Sequence, residues 1–468
     1  MSHIQTKMKA PEVNGVEAQY DAADSNDEES DHLLKNSSSL SNTVVEEIPC
    51  DRFQAVYLVF FVLGVCSVLP WNMFITANLY FDYKFHNVSG NGTGRTSLET
   101  SFESYFSVAA MVPNLIFQMI NLAVQHRISL QIRVMVPLIG MLILFVLTTT
   151  LAKVDTDEWQ IWFFAVCMCS VILINVCGAV YQGSVFGLAG ILPRRYMQAI
   201  MSGQGMGGIL PSLLSIVSIA ATSDPEESGF IYFLCSVVCI LITITAFLVL
   251  PKIKYAAHYL NKHAEMTKVK KSRELESTES FEKVKHHQKP PFAEIFWKIK
   301  VPAVMVLVVF AVTLGLFPGT LSSVKAVNTN NKKWAHEYFS PVACFLVFNT
   351  MDFTGRSLAV IEWPKPNHMP VISILVLLRF AFFPLFAFCN LQNDNAPSRV
   401  FFSNDAYFIV FNVLFGLTNG YLGSLLMIYG PKFVDVKWSE TAGVMMSLFL
   451  GTGLAIGSVI SVLFLKIV

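Results

Sequence analysis

The chain has 468 residues, 53% of them hydrophobic and only 14% charged, with 33 basic side chains balanced by 33 acidic ones. A soluble domain carries nearer a quarter charged residues, so the composition excludes an ordinary soluble protein, and the zero net charge offers nothing to a polyanion such as nucleic acid. What remains is an all-α polytopic membrane protein, rich in Phe at 38 residues.

Residues 1–53 are acidic and Ser-rich, with little to bury, and read as a disordered cytoplasmic tail. Within it Glu29, Leu33 and Leu34 stand in Glu-Ser-Asp-His-Leu-Leu, which resembles an acidic dileucine sorting signal read by adaptor proteins. The plain alternative is a solvated tail. No cleavable signal peptide precedes the first apolar run, so that run is expected to act as an uncleaved anchor.

Runs of about 20 apolar residues suffice to cross the hydrocarbon layer. They fall near 54–79, 102–124, 132–152, 159–182, 197–222, 229–250, 297–320, 338–361, 369–391, 406–429 and 440–465. The fourth can extend through Leu188. These are eleven spans in groups of six and five: an N-terminal six-helix bundle over 54–250, a cytoplasmic linker loop over 251–296, and a C-terminal five-helix bundle over 297–468. Basic residues mark the cytoplasmic side. Arg127, Arg133, Arg194, Arg195, Lys365, Lys432 and Lys437 then lie inside, with the charged 251–296 segment. Asp155, Asp157, Glu158, Asp224, Glu226 and Glu227 lie outside, and Lys325, Lys332 and Lys333 are exceptions. The N-terminus is expected inside and Val468 outside. Two N-glycosylation sequons, at Asn87 and Asn91, fall in the first outer loop, in keeping with that orientation. All nine cysteines except Cys50 sit inside apolar runs and read as small packing residues. No cofactor or metal is called for; His286-His287 reads as exposed linker.

Span eight carries the most informative residues. Asp352 and Arg356 are one helical turn apart on one face, and Phe345 and Asn349 continue that stripe. Charge inside a bilayer is costly and usually faces a cavity and a partner. The pair is either a polar site on a transport path or a structural clamp between helices. Span one holds Leu69-Pro70-Trp71-Asn72, a proline kink beside an aromatic wall; packing is the alternative role. Span four carries Asn175, Gly178 and Gln182, whose amides both donate and accept. Gly203-Gln-Gly205-Met-Gly207-Gly208 lacks the strand and Lys of a phosphate loop and reads as close helix packing. Phe317-Pro318 kinks span seven, and Arg379 places a further charge in span nine without a partner evident in the sequence. No catalytic signature is found, so no enzyme activity is expected.

Several linked motifs carry a resemblance. They are Leu69-Pro-Trp-Asn72, Gln182-Gly-Ser184-Val-Phe186-Gly-Leu-Ala-Gly190, Met201-Ser-Gly-Gln-Gly205, Asp352-Phe-Thr-Gly-Arg356, Thr418-Asn-Gly-Tyr421, Gly430-Pro-Lys432 and Glu440-Thr-Ala-Gly443. In this order, over residues 51–468, the chain resembles an equilibrative nucleoside transporter. The resemblance implies a pseudo-symmetric, major-facilitator-like fold and passage of nucleosides, in some members also nucleobases, down their gradient. It places Trp71 and Met111 against the nucleobase, Gln182 on its polar edge, and Asp352 and Arg356 on the ribose side. Ile75, Phe317, Phe345, Asn349 and Leu454 then line or gate the path. Ile75 stands where some members carry Met, a departure that bears on sensitivity to the family's adenosine-uptake inhibitors. The expected function is facilitative transport of nucleosides such as adenosine and uridine by rocking alternating access, at the plasma membrane. The alternatives are a proton-linked carrier of late endosomes or lysosomes, motivated by the dileucine stretch, and a non-transporting receptor or scaffold.

Overall fold

Backbone N–H and C=O groups cannot stay bare in hydrocarbon, so an apolar chain of this kind satisfies them within helices. The computed structural model describes residues 49–76, 80, 81, 84, 97–221, 225–262, 264–265, 291–329, 331–391 and 400–467. The principal helices are α1 (Ala55–Thr76), α2 (Ser97–Val124), α3 (Leu130–Ala152), α4 (Gln160–Ile191), α5 (Arg194–Ala221) and α6 (Pro225–Val249). They continue with α7 (Phe292–Leu316), α8 (Val347–Leu358), α9 (Met369–Leu378), α10 (Asp405–Tyr429) and α11 (Ser439–Ile467). Among the described residues, 9 helical segments are long and apolar enough to cross a membrane, which makes this a multi-pass membrane protein. α2 contributes a shorter apolar stretch, Val112–Val124. α8 has only 12 residues but is preceded by wide π-helical turns over Trp334–Tyr338 and Ser340–Leu346. α4 takes the longer of the two extents expected of it, running past Leu188 to Ile191.

The tail with Glu29, Leu33 and Leu34, the sequons at Asn87 and Asn91, and residues 266–290 of the linker lie outside the described residues. The start of that linker is not loop. Residues 254–262 are helical, Ala256 is buried, and the Tyr255 ring lies 5.6 Å from that of Tyr196.

Residues Pro49–Val468 form one compact unit. α1 packs on α5 and α6, α3 on α4 and α6, and α2 on α4. In the later part α7 packs on α10 and α11, α8 on α10, and α9 on α7. Two seams join the parts: α11 against α2 and α4, and α5 against α8 and α10. Lipid tails are as apolar as leucine, so close van der Waals approach holds such helices together. Glycine permits it. A Cβ at Gly203 of α5 would lie 2.0 Å from the Phe61 carbonyl oxygen of α1, and one at Gly420 of α10 would lie 1.9 Å from the Asp352 carbonyl oxygen of α8. The glycine run of α5 is therefore a packing face, in line with its sequence pattern. A second, aromatic cluster gathers behind α8: Phe317 stacks on Phe348 with centroids 4.0 Å apart, and Phe345 meets Phe317 edge-on at 5.5 Å.

Candidate functional site

The tight α8–α10 and α5–α8 contacts bring polar side chains from five helices and the 3-10 turn after α9 into one chain of hydrogen bonds. At its centre Asp352 is 5% exposed. Its Oδ2 accepts from Arg356 Nε at 2.6 Å, and its Oδ1 accepts from Asn419 Nδ2 of α10 at 2.6 Å. Arg356 extends the chain towards α5 and α1. Its Nη1 donates to Gln204 Oε1 at 3.0 Å, and Gln204 Nε2 donates to Ser67 Oγ of α1 at 3.0 Å.

Asn419 extends the chain the other way. Its Oδ1 faces the Thr313 hydroxyl of α7 as acceptor at 2.6 Å, and the Thr313 oxygen in turn accepts from Arg379 Nη2 at 2.8 Å. Arg379 follows α9 in a short 3-10 turn and is 1% exposed. It donates further to the Phe415 carbonyl at 3.0 Å and to Thr418 Oγ, with its guanidinium carbon 4.8 Å above the Phe415 ring. The network thus holds two guanidiniums and one carboxylate. Arg379 finds its partners in neutral oxygens and a ring face rather than in an acid.

The network leaves hydrogen-bonding capacity for a guest. A carboxylate offers about four lone-pair sites, and Asp352 uses one on each oxygen. Arg356 Nη2 has no hydrogen-bond partner among the described residues. A free donor therefore stands beside a free acceptor, the pattern that matches a vicinal diol.

The expected site residues separate into groups. Asp352, Arg356 and Asn349 share one face of α8, and Asn349 Nδ2 donates to Ser212 Oγ of α5 at 2.9 Å, which ties α8 to α5. Phe317 and Phe345 lie together in the aromatic cluster, whereas Trp71, Ile75 and Leu454 pack against the larger core. Gln182 is buried on α4 and, among the described residues, has no hydrogen-bond partner in the protein. The neighbouring amide of Asn175 is spent on the Val171 carbonyl of its own helix. The backbone of Met111 lies in α2; its side chain is outside the described residues. Sequence reasoning misses the parts played by Gln204, Ser67, Thr313 and Asn419. Gln204 and Asn419 sit inside motifs already singled out, but nothing in their spacing names Asp352 or Arg356 as a partner.

At one end of the molecule two ion-pair groups join the seams. Arg133 Nη2 of α3 lies 2.5 Å from Glu440 of α11. Glu362, just beyond α8, accepts from Arg194 of α5 at 3.1 Å and from Lys432 at 2.9 Å. Glu362 adopts a left-handed backbone with φ 49, a conformation that costs a non-glycine residue roughly 1–2 kcal/mol.

Known proteins share this sequence and fold. A family model described as Nucleoside transporter matches residues 168–466. Equilibrative nucleoside transporter 1 of Mus musculus is 37% identical over 453 residues, covering 89% of this chain and 98% of its own length. Equilibrative nucleoside transporter 2 of Homo sapiens is 35% identical, with 89% and 98% covered. Equilibrative nucleotide transporter 8 of Arabidopsis thaliana is 29% identical, with 90% and 98% covered. Among solved structures, a major facilitator superfamily proton:xylose symporter superposes with a TM-score of 0.59 at 11% identity, over 86% of this chain and 87% of its own. A human organic anion transporter gives 0.52 at 12%, over 88% and 94%. These two likenesses show a major-facilitator-like, all-helical fold. The family match and the identity sustained over most of the chain show that it belongs to the nucleoside transporter family.

Proposed function

We propose that the protein is a facilitative carrier that passes nucleosides such as adenosine and uridine across a membrane by alternating access. The observation that carries this reading is the unspent pair at the centre of the network: spare lone pairs on Asp352 beside the free Nη2 of Arg356. Ribose hydroxyls donate to the first and accept from the second. Gln182 serves a base edge, with Trp71, Met111, Ile75 and the aromatic cluster as apolar walls. The carboxylate already takes one charge-assisted and one amide hydrogen bond.

In this reading the chain crosses the membrane eleven times, in bundles of six and five joined by the 251–296 linker, with the N-terminus cytoplasmic and the C-terminus outside. It acts at the plasma membrane. The end bearing Arg133–Glu440 and Arg194–Glu362–Lys432 is cytoplasmic and closed. Substrate then enters from outside, and breaking those pairs admits it inward. Flux of labelled uridine and adenosine into proteoliposomes tests the proposal. Saturable uptake unchanged by an imposed pH gradient is expected. Absence of flux for every nucleoside removes the reading, and dependence on the gradient replaces it with proton coupling.

A further inference from the structure

The seam between α2, α4 and α11 is buried and polar, a combination that close packing alone does not call for. Down one face of α2 stand Asn114, Gln118 and Asn121, at helical spacing, and Gln125 follows in the turn just past its end. The last three are 2%, 1% and 7% exposed. Their bonding is incomplete. Gln118 Nε2 donates to Asn114 at 2.7 Å, and Asn121 Nδ2 reaches the Val180 carbonyl of α4 at 3.4 Å. Among the described residues, Gln118 Oε1, Asn121 Oδ1 and both amide atoms of Gln125 have no partner.

The facing helix repeats the pattern. Ser447 of α11 is fully buried with its Oγ unpartnered, one turn from Gly451. Gly451 abuts the Gln118 amide so closely that a Cβ there would lie 2.3 Å from Nε2. On α4, a Cβ at Gly183 would lie 2.6 Å from Asn121 Nδ2. The seam ends at the Arg133–Glu440 pair, where Arg133 Nη1 is again unpartnered. Six buried polar atoms thus line one closed seam, which leads to an ion pair that is its only charged closure among the described residues. Native proteins rarely leave such atoms unpaired without a reason. A surface that is buried in one state of a carrier and wetted in the other supplies one.

We propose that this seam is the inner half of the transport path and holds a second nucleoside-binding stretch, formed by Gln118, Asn121, Gln125 and Ser447. The inference rests on the nucleoside reading of the protein. When the Arg133–Glu440 pair parts, α11 moves off α2 and α4, and the amides face the opening. Neutral amides donate and accept in alternation, which suits a neutral ligand rich in hydroxyls and ring nitrogens and holds it too weakly to trap it. The glycines opposite Gln118 and Asn121 offer the amides no side chain from the facing helices when the seam is shut.

The test uses full-length protein in proteoliposomes, with Gln118→Leu, Asn121→Leu and Gln125→Leu made singly. Equilibrium binding of labelled uridine and initial flux are measured on the same preparations. In each variant the maximal flux is expected to fall about tenfold, the equivalent of one hydrogen bond, while the binding measurement reports that folded protein still takes up uridine at the central site. Parental flux in all three overturns the proposal. A second measurement does not depend on those variants folding. Gln125→Cys is placed in a background carrying Cys50→Ser and Cys169→Ser, which removes the exposed thiols. A membrane-impermeant thiol reagent is expected to label the introduced thiol from the inner face alone, and saturating uridine to change the rate. A thiol unreactive from that face, with or without uridine, also overturns the proposal. If the parent protein moves no nucleoside, the substrate assignment falls, while the labelling still reports whether the seam opens.

Discussion

Replacing Asp352 with Asn changes the one carboxylate of the central network and almost nothing of its shape. In the native protein Arg356 Nε and Asn419 Nδ2 both donate to it at 2.6 Å, and the Asp352 and Arg356 side chains are each 7% exposed. An amide at that position accepts from one neighbour and turns its NH2 on the other. Asn419 can relieve the clash by rotating its own amide, because Thr313 Oγ can accept as well as donate. Arg356 has no such remedy. Two buried guanidiniums, Arg356 and Arg379, are left without an acid. Removing one partner of a buried pair costs about 3–5 kcal/mol, a large share of a typical stability of about 5–15 kcal/mol. Reduced surface expression and a lower thermal midpoint are therefore expected. In the molecules that fold, loss of a hydrogen bond from substrate to a charged group costs about 1.5–3 kcal/mol, or roughly 10- to 150-fold in ribonucleoside uptake. Uptake is measured per surface molecule, for ribo- and deoxyribonucleosides side by side. The ribonucleoside advantage should shrink, because in the proposed site the lost acceptor is the one that reads the sugar hydroxyl. Asp352→Asn combined with Arg356→Gln removes the unpaired charge and should recover expression without recovering uptake. Near-normal ribonucleoside uptake by the well-expressed double variant refutes the assignment and leaves the pair a structural clamp.

Thr313→Val removes the hydroxyl shared by Asn419 and Arg379; it should cost about 1–3 kcal/mol, read as a lower thermal midpoint and a raised KM with the maximal rate less affected. Gly420→Ala drives a methyl group to within 1.9 Å of the Asp352 carbonyl oxygen and should cost about 1–3 kcal/mol or more by overpacking, visible as lost surface protein. Gly178→Ala meets nothing within 4 Å and should be neutral or slightly stabilising in the same assay. Glu362→Gln with Glu440→Gln removes the acid from both ion-pair groups at one end. Arg194 is more than half exposed, so its pair contributes no more than about 1 kcal/mol, and most of the effect should follow the more buried pairs Arg133–Glu440 and Lys432–Glu362. Spin labels on the ends of α3 and α11 should report longer distances in the double variant, and an unchanged distribution would show that the pairs do not hold that end shut.

What the chain discloses before folding depends on how local the physics is. Length and apolarity settle where helices such as α3, α6 and α7 lie, because a bilayer permits little else. Asp352 and Arg356 are legible because their one-turn spacing is itself geometry, and the α5 glycines are legible because small residues at regular spacing mean close approach. The remainder of the network is not local. Thr313, Arg379 and Asn419 come from three separate segments, and neutral hydroxyls and amides serve as well within their own helix as across a seam. Asn175 spends its amide on its own backbone while Asn419 reaches across to Asp352, yet both read as polar residues in apolar runs. The same degeneracy hides the amides of α2, whose meaning depends on α4 and α11 lying against them. Residues 254–262 look like loop in the sequence because the segment is short and opens a charged stretch; what the sequence does not disclose is the packing of Tyr255 against Tyr196 and Tyr259.

The central claim, facilitated passage of nucleosides, is tested most directly by the steady-state distribution of labelled uridine across proteoliposomes holding the purified chain. The account predicts entry that saturates with concentration and stops when inside and outside concentrations are equal, with or without an imposed pH difference. Accumulation above the outside concentration when the vesicle interior is made alkaline, or no entry beyond that of protein-free vesicles, would contradict it.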